Sequence, residues 1–383
     1  LYLGDTPIIT TYLRVFYYNF LFTSRPKNDE YISFAKKDRR YRIIPLFYVM
    51  WYNNKKHGGT MQHIPSAPVC TEPDSGCAVV IGGTNIDIAG ISTAELISGD
   101  SNPGTVRFSP GGVARNIAEN LARLGAPVRL LTVFGSGPYA EQLKRSCTEA
   151  GVDISAAETR AGSDASVYLS ISDRHGEMQL AVSDMRLYDA LTPDYLAARL
   201  EVINRAAVCV ADTNIPEASL AFLAHRCAIP LFIDPVSVTK AAKIKELLPY
   251  IHTIKPNRAE AEFLTGIPAN NDASLQRIAD AFLQQGIRQV VLSLGAQGLF
   301  CADAERRFFV PPERITAVNT TGAGDSLLAG LAWGFMHGLP FEQCARAGSA
   351  AAGICIESPL TVSPAMSSAL LCRRAGISVS DVG

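Results

Sequence analysis

Short apolar runs alternate with longer helical patterns from residue 78 onward, and this alternation limits the chain to a small set of folds. Parallel strands that are buried on both faces read as continuous apolar runs, and each parallel pair needs a crossover, usually a helix. Six runs have the length and composition of such strands; they lie at residues 78–82, 128–133, 207–211, 231–234, 253–255 and 289–293. The pattern therefore predicts an α/β fold with a doubly wound, mostly parallel central sheet.

Two stretches break this alternation. Residues 88–108 form the first and residues 166–182 form the second. The second stretch turns at residues 174–177, whose sequence Arg-His-Gly-Glu suits a tight turn, so it is predicted to be a β-hairpin. The chain has no internal repeat and no low-complexity linker between two domains.

A glycine-rich loop precedes the apolar run at residues 326–335. Residues 320–325 read Thr-Thr-Gly-Ala-Gly-Asp, so Asp325 would stand at the beginning of a buried helix. Unpaired amides and the macrodipole make that end of a helix electropositive, and a carboxylate beside it can take a proton from an attacking hydroxyl. The loop therefore suggests phosphoryl transfer from a nucleotide, although alone it would equally suit a helix that begins at an N-cap aspartate.

A second glycine turn opens an amphipathic helix far upstream of this loop. Gly111 and Gly112 would let a ligand approach the backbone closely, and the helical pattern ends at Gly125. Asn116 would lie about one turn into this helix, where its amide could bind a hydroxyl of a polyol. An isolated asparagine at such a position could equally be exposed to solvent.

The two motifs, in this order, resemble the two signatures of the phosphofructokinase-B, or ribokinase-like, family of carbohydrate kinases. The resemblance covers residues 77–370. Between the signatures, residues 255–260 (Lys-Pro-Asn-Arg-Ala-Glu) resemble the family's Asn-x-x-Glu element, and residues 293–298 resemble its nucleotide-loop turn. The resemblance implies a ribokinase-like fold in which segments 88–108 and 163–185 form a small β lid that closes over the sugar.

The resemblance also implies roles on the side of the phosphoryl donor, ATP. Asp325 would be the general base, and the amides of Gly322, Ala323 and Gly324 would form the anion hole for the transferred group. The residues that would bind the nucleotide are Asn257, Ser293, Gly295, Gly298 and Thr321. Asn257 and Glu260 would organise Mg²⁺ and its waters, although Glu260 alone would more often be a solvated carboxylate on a helix.

The acceptor side is implied in the same way. Asn85 and Asp87 follow the first strand, where open α/β sheets bind ligands, and they would bind vicinal hydroxyls. The other residues expected to bind the acceptor are Gly111, Gly112, Asn116, Ser166 and Tyr168. A strand-end aspartate is otherwise a common turn former, and Tyr168 in a strand could equally be ordinary packing.

The acceptor itself is indicated by four short segments. Residues 100–104, 110–116, 212–214 and 234–237 resemble those of pseudouridine kinases more than those of ribokinases. We therefore expect ATP-dependent phosphorylation of the 5′-hydroxyl of pseudouridine. The alternatives are a kinase for ribose, another sugar or another nucleoside, and a ligand sensor without catalytic activity.

One position departs from the wider family. Many members have an acidic residue where this chain has Asn319, and that residue helps to bind a monovalent cation. The loss of its charge makes activation by such a cation doubtful here. The chain also lacks the Gly-x-x-x-x-Gly-Lys-Ser/Thr motif, which argues against a P-loop kinase.

Composition agrees with a globular enzyme that binds a small molecule. With 383 residues and a formal net charge of −1, the chain can bury a large core and has no overall charge that would favour nucleic acid or a membrane surface. Its nine cysteines form no Cys-x-x-Cys pair, so we expect reduced thiols and a cytoplasmic location. The family resemblance leaves a homodimer through the lid open.

The first sixty residues read differently from the rest. Residues 12–22 are rich in aromatics but contain Arg14 and Asn19, so they are too short and too polar for a membrane span. Neither do they have the features of a signal peptide, because no small-residue cleavage site follows the apolar block. We expect Met61 to be the natural start, residues 1–60 to be an extension outside the fold, 61–76 to be a short tail and 77–375 to be the kinase domain. An organelle leader is the less favoured reading of residues 1–60.

Overall fold

Eight strands form the central sheet in a computed structural model of the chain, which describes residues 76–313 and 315–378. The strands of the described residues, numbered along the chain, are β1 (Ala78–Ile81), β2 (Asn85–Ser92), β3 (Gly104–Gly111), β4 (Val128–Leu131), β5 (Val133–Phe134), β6 (Glu158–Thr159), β7 (Ser166–Ser172), β8 (Met178–Asp184), β9 (Val208–Asp212), β10 (Leu231–Asp234), β11 (Thr253–Ile254), β12 (Gln289–Ser293), β13 (Leu299–Ala302) and β14 (Arg307–Val310). The order in the central sheet is β14-β13-β12-β11-β10-β9-β1-β4. From β12 to β4 all neighbours are parallel, whereas β13 runs antiparallel to both β12 and β14.

Helices cover both faces of this sheet. Within the described residues they are α1 (Val113–Arg123), α2 (Pro138–Glu149), α3 (Pro193–Ala197), α4 (Leu200–Asn204), α5 (Glu217–Arg226), α6 (Val238–Ala241), α7 (Arg258–Thr265), α8 (Asp272–Gln284), α9 (Ala323–Met336), α10 (Phe341–Ile356) and α11 (Ser368–Ala375), with 3₁₀ helices at Arg186–Ala190, Ala242–Tyr250 and Gly295–Gln297. Alternate residues of β1 point to opposite faces, so Ala78 and Val80 join the core under α1, α9 and α10, while Val79 and Ile81 join the core under α5 and α8. This explains why β1 is apolar at every position.

The predicted doubly wound, mostly parallel sheet is confirmed, and each of the six apolar runs contains one of its strands. The run at residues 128–133 is divided, because the chain leaves the central sheet at Thr132 and β5 then pairs with β6. The hairpin of β13 and β14 was not predicted. Its signal is weak because β14 lies at the edge of the sheet and is largely exposed.

A second, four-stranded sheet, which we call the lid sheet, has the order β3-β2-β7-β8. Strand β2 is antiparallel to β3 and parallel to β7, and β7 and β8 form the predicted hairpin. The small β lid expected from segments 88–108 and 163–185 is therefore present, although its first strand begins earlier, at Asn85. The extension and the tail predicted for residues 1–76 lie outside the described residues, apart from Gly76.

Close packing of α9 on α10 supports the region from which Asp325 projects. A β-carbon added to Gly330 would lie 2.6 Å from the carbonyl oxygen of Ala347, and one added to Gly348 would lie 2.9 Å from that of Leu327. Such distances are shorter than any ordinary contact. The absence of side chains at these two positions therefore sets how closely the two helices approach.

The substitution Gly330→Ala tests this contact. Alanine should favour the helix by about 1 kcal/mol, but overpacking against the backbone of α10 costs about 1–3 kcal/mol, so we expect a net loss of stability. The measurement is the midpoint of urea unfolding. Ser349→Ala, on the half-buried side of α10, is the control and should change the midpoint little; an equal or higher midpoint for Gly330→Ala would show that the helices are free to move apart.

Candidate active site

The ends of α1 and α9 meet at the carboxyl edge of the central sheet, where open α/β sheets bind ligands. Asn116, in the first turns of α1, donates a hydrogen bond from Nδ2 to Oδ2 of Asp325, in the first turn of α9, at 2.8 Å. One turn further along, Asn120 Nδ2 donates to Ser326 Oγ at 3.1 Å. The two signature motifs, more than two hundred positions apart, thus contact each other directly.

The glycine-rich loop has the backbone geometry of a helix start that only glycine suits. Gly322 is the N-cap of α9 with φ 83°, and a β-carbon there would lie 2.1 Å from the carbonyl oxygen of Thr361. The amides of Gly324 and Asp325 lie in the first turn, where N–H groups have no acceptor within the helix. The N–H of Ala323 is directed to Thr320 O at 3.3 Å, so this predicted member of the anion hole is less available than Gly324.

The Asp325 carboxyl group is held in surroundings that favour its protonated form. Burial raises its pKa to about 7, the negative charge of Asp234 acts in the same direction, and the hydrogen bond from Asn116 and the positive charge of Lys255 oppose them. A carboxylate with a pKa near 7 accepts a proton far more readily than an ordinary aspartate. This is the property that a general base needs at neutral pH.

A buried ion pair lies beside this helix start. Lys255 Nζ is 3.1 Å from Asp234 Oδ2, and both side chains are only 6% exposed. A β-carbon on Gly324 would be 3.3 Å from the same ammonium group, so the positive charge lies against the glycine-rich loop. Buried charges are costly to desolvate, and a pair in this position is suited to stabilising an anion.

Asp234 and Lys255 lie in the segments 234–237 and 255–260 singled out above, but neither residue was predicted to belong to the site. Asp234 is the last residue of β10, and Lys255 follows the last residue of β11 and stands two positions before Asn257 of the Asn-x-x-Glu element. A charged residue at the end of an otherwise apolar strand was the signal that could have identified them. Their pairing depends on the neighbouring positions of β10 and β11 in the sheet, which the order of the chain does not reveal.

The predicted acceptor residues of the lid sheet share one face. Asn85 stands opposite Ser166, and Asp87 stands opposite Tyr168, in the parallel pair of β2 and β7. Asn85 Nδ2 donates to Asp87 Oδ1 at 2.6 Å. The structure therefore brings these four side chains together.

The glycines of the acceptor motif are required by close approaches. A β-carbon on Gly111 would lie 2.2 Å from Asp87 Oδ2, and one on Gly112, which has φ 99°, would lie 2.4 Å from the carbonyl oxygen of Gly83. The start of α1 is therefore pressed against the turn between β1 and β2. This contact brings the start of α1, the helix that carries Asn116, next to the beginning of β2, the strand that carries Asn85 and Asp87.

Asn257 and Glu260 form a capping box at the start of α7. Asn257 Oδ1 accepts from the N–H of Glu260, while Glu260 Oε2 accepts from the N–H of Asn257 and Oε1 from its Nδ2, each at 2.9 Å. Glu260 is 3% exposed, which excludes a solvated carboxylate. The Asn-x-x-Glu pattern therefore also has a purely local role as the capping box of α7, which was not predicted.

The fit of these residues to Mg²⁺ follows from the donor atoms that remain. No group of three or more His, Cys, Asp or Glu side chains that could hold a metal ion lies within residues 76–313 and 315–378. Each Glu260 oxygen accepts one hydrogen bond and keeps a further lone pair. This suits an ion held mainly by water and nucleotide phosphates, the usual manner of Mg²⁺, and does not suit a cage made only of protein ligands.

The predicted nucleotide turn lies next to this capping box. Ser293, at the end of β12, donates its N–H to Pro256 O at 2.9 Å, which joins the turn to the residue before Asn257. Gly295 and Gly298 have φ 59° and 87°, and a β-carbon on Gly298 would lie 2.2 Å from Val310 O. Two separate motifs that were predicted to bind the phosphoryl donor, ATP, are thus neighbours in the structure.

Thr321 and Asn319 belong to the glycine-rich loop. Asn319 Oδ1 accepts from the N–H of Thr321 at 3.0 Å, and its Nδ2 donates to Pro359 O at 3.2 Å. The carbonyl oxygen of Pro359 therefore already accepts a hydrogen bond from Asn319, and the Asn319 side chain has no negative charge. The position does not fit a monovalent cation held by a carboxylate and carbonyl oxygens.

Comparison with known proteins agrees with this site. The profile of the pfkB family carbohydrate kinases matches residues 77–368, which include both signature motifs and the lid sheet. The chain belongs to this family. It is accordingly a sugar or nucleoside kinase, a transferase with an alcohol group as acceptor.

Three relatives show how closely it matches. The pseudouridine kinase of Escherichia coli is 41% identical over 291 residues, which is 76% of this chain and 93% of the relative. An uncharacterized sugar kinase of Escherichia coli is 36% identical and covers 76% of this chain and 80% of the relative. The crystal structure of a carbohydrate kinase from Agrobacterium tumefaciens superposes with a TM-score of 0.69 at 29% identity, covering 79% of this chain and 97% of that one.

In the part of the chain that the structure describes, no helix is long and apolar enough to cross a membrane.

The raised pKa of Asp325 predicts the pH dependence of turnover. If Asp325 must be ionised to accept the proton, kcat/KM for the acceptor should rise with pH through about 7 and level off above it. Asp234→Asn removes the negative charge that raises this pKa, so its profile should level off at lower pH. The measurement is kcat/KM for the acceptor from pH 5 to 9, and a flat profile across this range in the wild-type enzyme would contradict the role of Asp325.

Proposed function

We propose that this kinase transfers the γ-phosphoryl group of ATP to the 5′-hydroxyl of pseudouridine. The observation that carries the proposal is the hydrogen bond from Asn116 to Asp325, because it joins the motif expected to bind the acceptor to the carboxylate expected to take its proton. The identity of 41% to a pseudouridine kinase supports this acceptor over ribose, since the ribokinase of Haemophilus influenzae is only 27% identical.

In the proposed mechanism, Asn116 and the lid residues Asn85 and Asp87 hold the hydroxyls of the acceptor sugar. Asp325 takes the proton of the 5′-hydroxyl while the hydroxyl oxygen forms a bond to the γ-phosphorus. The bond from the γ-phosphorus to the bridging oxygen breaks, and ADP leaves with that oxygen. No further oxidant, reductant or base is needed to balance the step.

The charge that develops on the transferred group is stabilised by residues already in place. The amides of Gly324 and Asp325 point from the start of α9, and the Lys255 ammonium lies beside them. Preorganised donors of this kind need no rearrangement during the reaction. Asn257 and Glu260 would hold Mg²⁺ through its waters, and the ion would neutralise charge on the donor phosphates.

Two alternative functions can be tested against this proposal. The uncharacterized sugar kinase at 36% identity and the polyol-binding character of Asn85 and Asp87 favour another sugar or nucleoside as the second candidate. A sensor without activity is disfavoured, because ligand sensing needs neither a base with a pKa of about 7 nor a buried cation beside an anion hole. Fold alone would not separate these functions.

The acceptor is tested with a substrate panel. Wild-type enzyme, ATP and Mg²⁺ are combined with pseudouridine, uridine, cytidine, adenosine or ribose, and kcat/KM is measured for each. We expect pseudouridine to be preferred. A preference for another acceptor would refute the pseudouridine assignment but keep the kinase, and turnover of none would favour the sensor.

Asp325→Asn tests the base in the same assay. We expect kcat to fall by roughly 10²–10⁴-fold, the range that a positioned general base contributes, with little change in KM for ATP. The pKa of Asp325 is raised in the folded state, so ionisation of this carboxyl lowers the stability of the folded protein. This stability is lost as pH rises through about 7. The variant should therefore be at least as stable as the wild type at pH 8, and near-normal kcat would refute the assignment.

We also propose that the enzyme needs no monovalent cation. The Asn319 amide already donates to Pro359 O and accepts from the N–H of Thr321, so hydrogen bonds from a neutral side chain brace the loop at this position. Replacing potassium by choline in the assay should change kcat less than twofold. Activation of several-fold by potassium would contradict this.

The lid sheet supports a proposal about assembly. Its face away from Asn85 and Asp87 is apolar. Two neighbouring rows of paired residues cross this face; the first is Phe108, Ile88, Leu169 and Val182, and the second is Val106, Gly90, Ile171 and Leu180. Its four large outer side chains are 50–61% exposed; they are Val106, Phe108, Leu180 and Val182. We propose that a second copy of the chain covers this face in a homodimer, because clustered apolar side chains of this size mark interaction surfaces.

Leu180→Glu tests the dimer. A charge on the apolar face at Leu180, in the edge strand β8, should convert a dimer to a monomer without unfolding the subunit, because Leu180 is 60% exposed within one chain. The mass is measured by light scattering after gel filtration. Leu360→Glu, at a residue that is 52% exposed and lies outside the lid sheet, is the matched control and should stay dimeric; a monomeric wild-type protein would refute the proposal.

A further inference from the structure

Two buried polar side chains lie beneath the acceptor residues and take no part in the proposed chemistry. Tyr188, in the 3₁₀ helix Arg186–Ala190, is 2% exposed, and Asp212, the last residue of β9, is fully buried. Both lie against the turn between β1 and β2. A β-carbon on Gly83 would be 2.8 Å from the Tyr188 ring, and one on Gly82 would be 2.3 Å from Asp212 Oδ2.

The Asn85 amide lies between the Asp87 carboxylate and the Tyr188 hydroxyl, which contact its two ends. The Tyr188 hydroxyl lies 3.4 Å from Asn85 Oδ1, while Asn85 Nδ2 donates to Asp87 Oδ1 at 2.6 Å. If the amide were turned round, its oxygen would face the Asp87 carboxylate and repel it when ionised. Burial raises the pKa of Tyr188 well above its ordinary value, so the hydroxyl keeps the proton that it donates to Asn85.

The same hydroxyl has a second polar neighbour in the acceptor site. Ser166, opposite Asn85 in the lid sheet, is buried, and its Oγ makes no hydrogen bond of ordinary geometry; the Tyr188 hydroxyl faces it. A buried hydroxyl without a partner is unfavourable unless a ligand satisfies it. Tyr188 therefore lies under two of the four lid residues that are expected to bind the acceptor.

The Asp212 carboxylate joins the lid strand to α1. Its Oδ2 accepts from the N–H groups of Gly83 and Ala114, both at 3.0 Å, and its Oδ1 accepts from the N–H of Asn214 at 2.8 Å. Gly83 stands just before β2, which carries Asn85, and Ala114 lies in the first turn of α1, which carries Asn116. One oxygen atom thus sets the distance between the two segments that carry the acceptor residues.

We infer that Tyr188 and Asp212 are positioning residues for the acceptor: Tyr188 orients the amide of Asn85, and Asp212 holds the β1–β2 turn against the start of α1. The inference rests on the proposed acceptor role of Asn85, Asp87 and Asn116. Packing alone does not require either group, because phenylalanine fills nearly the same space as tyrosine and a buried charge is costly. Losing either group should raise KM for the acceptor and leave KM for ATP unchanged.

Tyr188→Phe is the decisive variant, since it removes one oxygen atom and keeps the ring. We expect KM for the acceptor to rise about five- to tenfold, which corresponds to the loss of one hydrogen bond, while kcat and KM for ATP change less than twofold. The matched control is Tyr195→Phe. The Tyr195 hydroxyl is also buried but donates to Thr132 O and Ala156 O, so its loss should lower Tm without changing either KM.

Asp212→Asn tests the second group. The new amide would turn an N–H towards N–H donors of the backbone, so the contact between the turn and α1 should loosen, and KM for the acceptor should rise more than tenfold. Circular dichroism and Tm show whether the variant is folded. If it is not, Tyr188→Phe alone decides.

The outcomes separate this inference from the proposed function. If the wild-type enzyme phosphorylates an acceptor and Tyr188→Phe leaves its KM unchanged, or changes it no more than Tyr195→Phe does, the inference is refuted and the proposed function stands. Equal changes in KM for acceptor and ATP would show a general structural role and would refute it too. If the wild-type enzyme phosphorylates none of the acceptors, the proposed function fails, and the inference fails with it.

Discussion

The contact between the first turns of α1 and α9 is the constraint on which the site depends. Asn116 reaches Asp325 at 2.8 Å, and Asn120 reaches Ser326 one turn later, so the two helices are joined at their N-terminal ends by two amides. Helix α1 follows directly from β3 of the lid sheet, whereas α9 begins at the glycine-rich loop. The lid sheet, the proposed acceptor residues and the proposed base are therefore linked through a single helix pair, and a shift of α1 would alter all of them.

The same edge of the sheet concentrates buried charge, which is costly to desolvate. Asp212, Asp234 and Asp325 come from two strand ends and one helix start, and Lys255 follows a third strand. Parallel strands all end at one edge, so residues that follow them converge without any local sequence signal. The cost of burying these groups is expressed in the pKa of Asp325, which burial and Asp234 raise to about 7. A carboxylate that is unfavourable when ionised is, for that reason, a better proton acceptor.

Several groups serve the fold and the site at once. The capping box of Asn257 and Glu260 begins α7 and also holds the oxygens that could face nucleotide-bound Mg²⁺. Asp212 satisfies three backbone N–H groups and also sets the spacing of the acceptor segments. Kinetic constants for each substrate, measured beside stability, are therefore needed to separate the two contributions, because a loss of activity alone would not distinguish them.

The sequence by itself determined the parallel sheet, the lid and most of the candidate site, because apolar periodicity and glycine turns are local signals: the loop before Asp325 and the turn before Asn116 each have the backbone that their glycines require. It did not predict the hairpin of β13 and β14, whose edge position leaves little apolar signal, or the capping box, which shares its pattern with a nucleotide motif. Only the tertiary structure decided which distant groups meet. The pairing of Lys255 with Asp234, the orientation of Asn85 by Tyr188 and the three bonds to Asp212 depend on the order of strands in the sheet, and that order follows from packing between segments far apart in the chain.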